Sequence, residues 1–154
     1  MGYQFEVREV PAMSVLYVKD SCPQDEIGPT LGRMLPKVYS SLVELGVRPI
    51  GPPFCRYTAW HDQDCDLEGG IQVDGLVAGV GEIHGGQLGG CMAVHTIHHG
   101  PYTDLKSAHE AIQQWMKENG REPNGAPFEL YLTDPGKVAD SSQWETEIFW
   151  PVAS

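Results

Sequence analysis

Apolar positions recur along this chain with two periods, and the changes between them outline its elements. Tyr3, Phe5 and Val7 alternate with Gln4, Glu6 and Arg8, the period of two that gives a strand one buried face. Val15 to Val18 predicts a second strand. Leu31, Leu35, Val38, Leu42 and Leu45 then recur at spacings of three and four, the stripe of an amphipathic helix. Gly46 stands where that helix should end in a left-handed residue. Pro36 conflicts with the stripe, because a prolyl ring removes a donor and crowds the preceding turn; it implies either a kink or a helix that starts there. A cleaner stripe follows in Leu105, Ala108, Ile112, Trp115 and Met116, with Pro101 and Thr103-Asp104 near its start and Asn119-Gly120 at its end. Phe54 to Trp60, Phe128 to Thr133 and Trp144 to Val152 read as strands. Gly69-Gly70, Gly85-Gly86 and Gly89-Gly90 are expected in loops, and Val77 to Leu88 as a join between two halves.

The halves resemble each other. Gly51-Pro52-Pro53-Phe54-Cys55-Arg56-Tyr57 and Gly125-Ala126-Pro127-Phe128-Glu129-Leu130-Tyr131 each follow a helical stretch and stand 74 residues apart. The same spacing sets Leu31 against Leu105, Val38 against Ile112, Leu42 against Met116 and Gly46 against Gly120. Upstream, Met13-Ser14-Val15 resembles Met92-Ala93-Val94 at a spacing of 79. The difference falls in the turn before each helix, which is longer in the first half. Several landmarks under one spacing point to a duplication. The expected fold is α+β: a strand-helix-strand-strand unit, duplicated with pseudo-two-fold symmetry, whose antiparallel sheets form a concave ligand pocket with the helices outside. The chain is read as one domain, residues 1–154, with repeats at about 1–83 and 84–154.

Composition narrows the function. At 154 residues with 41% apolar side chains, the chain can build a core without disulfides or metal. The net charge of −11 argues against direct nucleic-acid binding, which needs clustered Lys and Arg, and favours small cations or a basic protein surface. Solubility alone is the plain alternative. Cys22, Cys55, Cys65 and Cys91 lack close pairing, the N-terminus lacks a signal-peptide pattern, and no apolar run approaches the roughly 20 residues that span a bilayer. These features predict a cytoplasmic protein with reduced thiols and no membrane contact.

Four segments carry a family likeness: Gly51-Pro52-Pro53-Phe54-Cys55-Arg56-Tyr57, His98-His99-Gly100-Pro101-Tyr102, Phe128-Glu129-Leu130-Tyr131-Leu132-Thr133-Asp134-Pro135, and Trp144-Glu145-Thr146-Glu147-Ile148 with Pro151-Val152. In this order the chain resembles the GyrI-like small-molecule-binding domain, from about Tyr3 to Val152. That family includes the effector-binding domains of some AraC-type and MerR-type multidrug regulators. The resemblance implies two strand-helix-strand-strand units around a pocket for bulky, often cationic aromatic compounds. It places the family's pocket glutamate on Glu129 and its tyrosine on Tyr131. The regulators carry an added helix-turn-helix domain, which is not expected here because the chain starts almost at its first strand.

The chemistry of the residues agrees. Glu129 and Tyr131 share a face of their strand, while Phe128, Leu130 and Leu132 take the other, suited to packing on helices. A carboxylate among aromatics is costly to bury unless compensated; a ligand cation can compensate it, and rings add cation–π attraction. The alternative is a solvated edge, or pairing with Arg56 or Lys137. Tyr57, at the repeat position of Tyr131, is a further ligand candidate, followed by Trp60, Trp144 and Phe149. Glu147 reads as structural. His95, His98 and His99 lack the extra ligands of a zinc site, so no metal or other cofactor is expected. Asp62, Asp64, Asp66 and Glu68 lack the calcium-loop pattern and read as a solvated loop.

Three functions follow. The first is binding of lipophilic cations, as sequestration or sensing of drugs or toxins. The second is hydrolysis of cyclopropane-bearing DNA-alkylating agents, which the family likeness suggests, with Glu129 and Tyr131 as the catalytic pair. The third is inhibition of gyrase or another basic protein partner. Haem binding is a minor option, through the similar duplicated fold of the SOUL family.

Overall fold

The computed structural model describes residues 3–153. Its elements run in the order β1 (Glu6–Val10), β2 (Met13–Pro23), α1 (Ile27–Leu45), β3 (Pro49–Trp60), β4 (Asp64–Val73), β5 (His84–Leu88), β6 (Cys91–His99), α2 (Leu105–Glu118), β7 (Phe128–Tyr131) and β8 (Glu145–Val152). The chain divides into two compact units. One is Pro11–Gly90; the other joins the N-terminal residues through Val10 to the chain from Cys91 onward. Strand pairs within each unit are antiparallel.

In the unit Pro11–Gly90 the strand order is β3-β4-β2-β5. Helix α1 packs on this sheet through Thr30, Leu31, Met34, Val38, Ser41 and Leu42. Met34 therefore centres the buried face, and Leu35 and Leu45 flank it, half-buried. Pro36 lies inside the helix, nine residues after its start, so it does not mark the beginning. Gly46 ends the helix at φ 67° and donates its N–H to the carbonyls of Leu42 and Val43. Complete burial of side chains such as Val38 stabilises the unit by about 1.5–3 kcal/mol each.

Two expectations are corrected in this unit. The acidic stretch is not a loop: Asp64, Asp66 and Glu68 lie on β4. Gly69 and Gly70 lie in the same strand, and Gly85 and Gly86 in β5, rather than in turns. These glycines serve close approach. A Cβ on Gly69 would stand 2.8 Å from Leu31 Cδ2 and 3.2 Å from Met34 Cε, where α1 lies against bare backbone. On Gly70 it would collide with the Leu16 carbonyl of β2, and on Gly85 with that of Val77. Gly89 and Gly90 do turn the chain, at φ 82° and 68°. The end of the expected join is β5, which pairs with β2.

All four cysteines are free thiols. Cys22 and Cys65 face each other across β2 and β4. Burial first, and then the Cys22 thiol, push Cys65 up to about 12, so it stays protonated at neutral pH.

In the other unit the strand order is β1-β6-β8-β7. Its core is Val94, Leu105, Ala108, Ile112, Met116, Ile148 and Val152, with Phe5, Val7, Trp115, Tyr131 and Trp150 packed against it. Both units follow one plan. In β2-α1-β3-β4 and in β6-α2-β7-β8, the third strand pairs with the fourth and the fourth with the first. An outer strand flanks the first in each case: β5 beside β2, and β1 beside β6. This is the α+β, strand-helix-strand-strand order that the repeat predicts. Among the described residues no helix is long and apolar enough to cross a membrane.

Candidate ligand-binding site

Glu129, the second residue of β7, is 0% exposed. Tyr131 donates its hydroxyl to Glu129 Oε1 at 2.6 Å, and His109 of α2 meets Oε2 through Nε2 at 2.6 Å. Trp150 of β8 donates its indole N–H to His109 Nδ1 at 3.0 Å. An indole nitrogen can only donate, so Nδ1 accepts and the ring proton sits on Nε2, facing the carboxylate. Tyr131 and His109 are therefore neutral donors in this arrangement. They orient the carboxylate and bring no positive charge of their own. Each hydrogen bond to a charged group contributes about 1.5–3 kcal/mol, which offsets part of the desolvation cost of a buried acid.

Strand alternation places Glu129 and Tyr131 on one face of β7, as the sequence predicts. The helix is on the unexpected side. Ile148, directly across from Glu129, belongs to the core that α2 forms, and Tyr131 packs on the same core. Phe128 and Leu130 are buried on the opposite face, where Phe128 stacks on Phe149 with centroids 4.8 Å apart. Leu132, past the end of the strand, is 43% exposed. A period of two says which residues share a face but not which face carries the helix. His109 on α2 and the indole of Trp150 make the helix side the one able to hold a carboxylate.

Rings extend from the acid. Tyr102 lies 5.5 Å from Tyr131 and 4.9 Å from Trp144, centroid to centroid. Trp144 is fixed by its indole N–H, donated to the Val138 carbonyl at 2.7 Å. Burial raises the pKa of the Tyr102 phenol above its usual range, and the negative charges of Asp134 and Glu129 raise it further. Both carboxylates are thus felt at that hydroxyl. Thr146, across from Tyr131, is fully buried, and its hydroxyl has no hydrogen-bond partner among the described residues.

The remaining predicted residues have other described neighbours. Phe149 is buried against Phe128 and His95, away from the Glu129 face. Tyr57 and Trp60 belong to the unit Pro11–Gly90, where they meet edge to face at 5.8 Å; Tyr57 is buried and Trp60 is 54% exposed. Arg56, a suggested partner for Glu129, instead pairs with Glu68 at 2.6 Å and donates to the Gln87 carbonyl. Glu147 is structural, bonded to His95 Nε2 at 2.7 Å. His98 accepts from the Tyr3 hydroxyl at Nδ1 and donates to the Pro101 carbonyl from Nε2. His99 pairs with Glu145. Among the described residues no group of three His, Cys, Asp or Glu side chains is placed to hold a metal ion.

Sequence reasoning missed His109, Trp150 and Tyr102 as site residues. Their signals were positional. His109 follows Ala108 and precedes Ile112 by three, so a polar ring borders the buried stripe of α2. Trp150 is two residues after Ile148 and shares its face.

The chain belongs to the GyrI-like family: the GyrI-like small molecule binding domain matches residues 3–153. Among solved structures it is similar to the EcmrR C-terminal domain, at 25% identity and a TM-score of 0.82, covering 100% of this chain and 99% of that one. EcmrR in complex with DNA gives 25% identity and a TM-score of 0.86 over 99% of this chain; the chain spans 58% of that EcmrR chain. SAV2435 bound to tetraphenylphosphonium shares the fold at 15% identity, TM-score 0.64, covering 100% and 95% of the two chains. A hydrolase from Listeria innocua does so at 18% identity, TM-score 0.67, covering 99% and 93%. No curated protein matches the chain.

Proposed function

We propose that this protein binds bulky lipophilic cations, with Glu129 as the anionic anchor. The observation that carries the reading is a fully buried carboxylate held by Tyr131 and His109. These two neutral donors orient it and bring no positive charge of their own. In a medium of low dielectric the charge of a carboxylate acts more strongly than it would in water. Burial raises the Tyr102 phenol, and Asp134 and Glu129 lie close enough to raise it further. Tyr131, Tyr102 and Trp144 supply aromatic rings beside the carboxylate, and ring faces attract cations. The relative SAV2435, seen with tetraphenylphosphonium, supports the ligand class. A protein built this way would sequester or sense drug-like or toxic cations.

Calorimetric titration with tetraphenylphosphonium tests the proposal on the wild type and on Glu129→Gln. The neutral amide keeps the shape and loses the charge. Breaking a buried charge contact costs about 2–5 kcal/mol, so affinity should fall by at least about tenfold. Equal affinity of the two proteins, or binding by neither, overturns the proposal.

A further inference from the structure

Every ring nitrogen of His109 has a defined duty. Nδ1 receives the Trp150 indole proton at 3.0 Å, and Nε2 meets Glu129 Oε2 at 2.6 Å. The indole proton comes from β8, the imidazole from α2 and the carboxylate from β7, so three elements fix one chain of hydrogen bonds. The imidazole side chain is 17% exposed and the carboxylate 0%. Trp150 packs against the same core as Tyr131, which holds its N–H in place.

We infer that Trp150 and His109 are positioning residues that keep Glu129 available as a charged anchor. The indole N–H occupies the nitrogen at which a second proton would have to enter. Were both ring nitrogens protonated, His109 would become an imidazolium beside Glu129. The pair would then be neutral as a whole, and a ligand cation would meet a spent charge. Holding the ring as the Nε2–H tautomer supplies the carboxylate with a donor but no positive charge. The hydrogen bond also fixes the direction in which Oε2 points, as outer partners orient the groups that touch a ligand. The role rests on Glu129 being the cation anchor, whereas the tautomer can be read with no ligand present.

The test combines nitrogen NMR with tetraphenylphosphonium binding. In the wild type, long-range proton–nitrogen spectra of uniformly labelled protein near neutral pH should show His109 with a bare Nδ1 and a protonated Nε2; His109→Gln identifies its signals. Trp150→Phe keeps an aromatic ring in the core and removes only the N–H. It should abolish the single-tautomer signature and weaken tetraphenylphosphonium severalfold. His109→Leu removes the donor and should weaken binding by about tenfold, from the worth of a hydrogen bond to a charged group. His109→Gln offers a neutral N–H to Glu129 and a carbonyl to Trp150, and should restore most of the affinity that leucine loses. A doubly protonated or Nδ1–H ring in the wild type overturns the inference. So does wild-type affinity in both Trp150→Phe and His109→Leu, or glutamine binding as poorly as leucine. If the wild type binds no tetraphenylphosphonium, the cation reading fails and takes this role with it, while the nitrogen spectra still decide the tautomer.

Discussion

Tyr102 lies between Tyr131 and Trp144, and its phenol is raised above the usual range by burial, then by Asp134 and Glu129. The unfolded chain releases a tyrosine proton near pH ~10, and the folded chain releases this one only at higher pH. Between those values the unfolded state binds fewer protons, so stability falls as pH rises through the window. Tyr102→Phe is expected to flatten that fall in urea midpoints compared from neutral to strongly alkaline pH. An unchanged slope would show that the phenol is solvated, contrary to its placement. Tyr3 is raised for a related reason, burial followed by Asp104, and serves as the comparison. At this scale the acid itself was legible: Glu129 and Tyr131 are two apart on a strand with a recognisable pattern. His109 and Trp150 were not, because a donor is chosen by which helix face meets which strand face, and one-dimensional spacing contains neither. Arg56 shows the same limit. Opposite charge made it a plausible mate for Glu129, but the β3–β4 register puts Glu68 directly across from it.

The helices illustrate what periodicity settles. The stripe of α2 returns as its buried face, Leu105, Ala108, Ile112 and Met116. Gly46 and Gly120 both close helices at φ 67°, as their places in the repeat suggest. Strand β4 shows where periodicity misleads. Two adjacent glycines after an acidic run look like a turn, because glycine usually marks freedom of the backbone. Here it marks crowding. At Gly69 the obstacle is the far ends of Leu31 and Met34, which can shift, while at Gly70 it is a neighbouring strand's carbonyl, which cannot. Gly69→Ala should cost about 1–3 kcal/mol, the usual range for overpacking. Gly70→Ala should cost more than Gly69→Ala and disrupt the pairing of β2 with β4. Chemical denaturation of the two variants checks the order, and a reversed ranking refutes this account of the strand.

For the molecule as a whole, the charge of −11 and the proposed anchor at Glu129 would make separate contributions to cation binding. The first is long-range and screened, since raising salt from about 0.01 M to about 1 M shortens the Debye length from ~30 Å to ~3 Å. The second acts at contact, away from water, and is screened far less. Wild-type affinity for tetraphenylphosphonium is therefore expected to weaken severalfold across that range, while the ratio between wild type and Glu129→Gln persists. Collapse of the ratio at high salt would mean that Glu129 acts as an ordinary solvated charge. The common plan of the two units was visible in the sequence, since the helices and the segments after them recur at a spacing of 74 and the strands before them at 79. The place of β1 was not. Pairing with β6 is a long-range choice between sheet edges, and the alternation of Tyr3, Phe5 and Val7 fits any of them.

Glu129, Tyr131, His109 and Trp150 all come from the stretch after Cys91 and lie within one compact unit. The quartet can therefore be inherited as a block. Mutations that accumulate between Pro11 and Gly90 leave its covalent neighbourhood intact. A chimera that receives residues 11–90 from another member should keep the hydrogen bonds that join Trp150, His109 and Glu129, which the same nitrogen spectra would check.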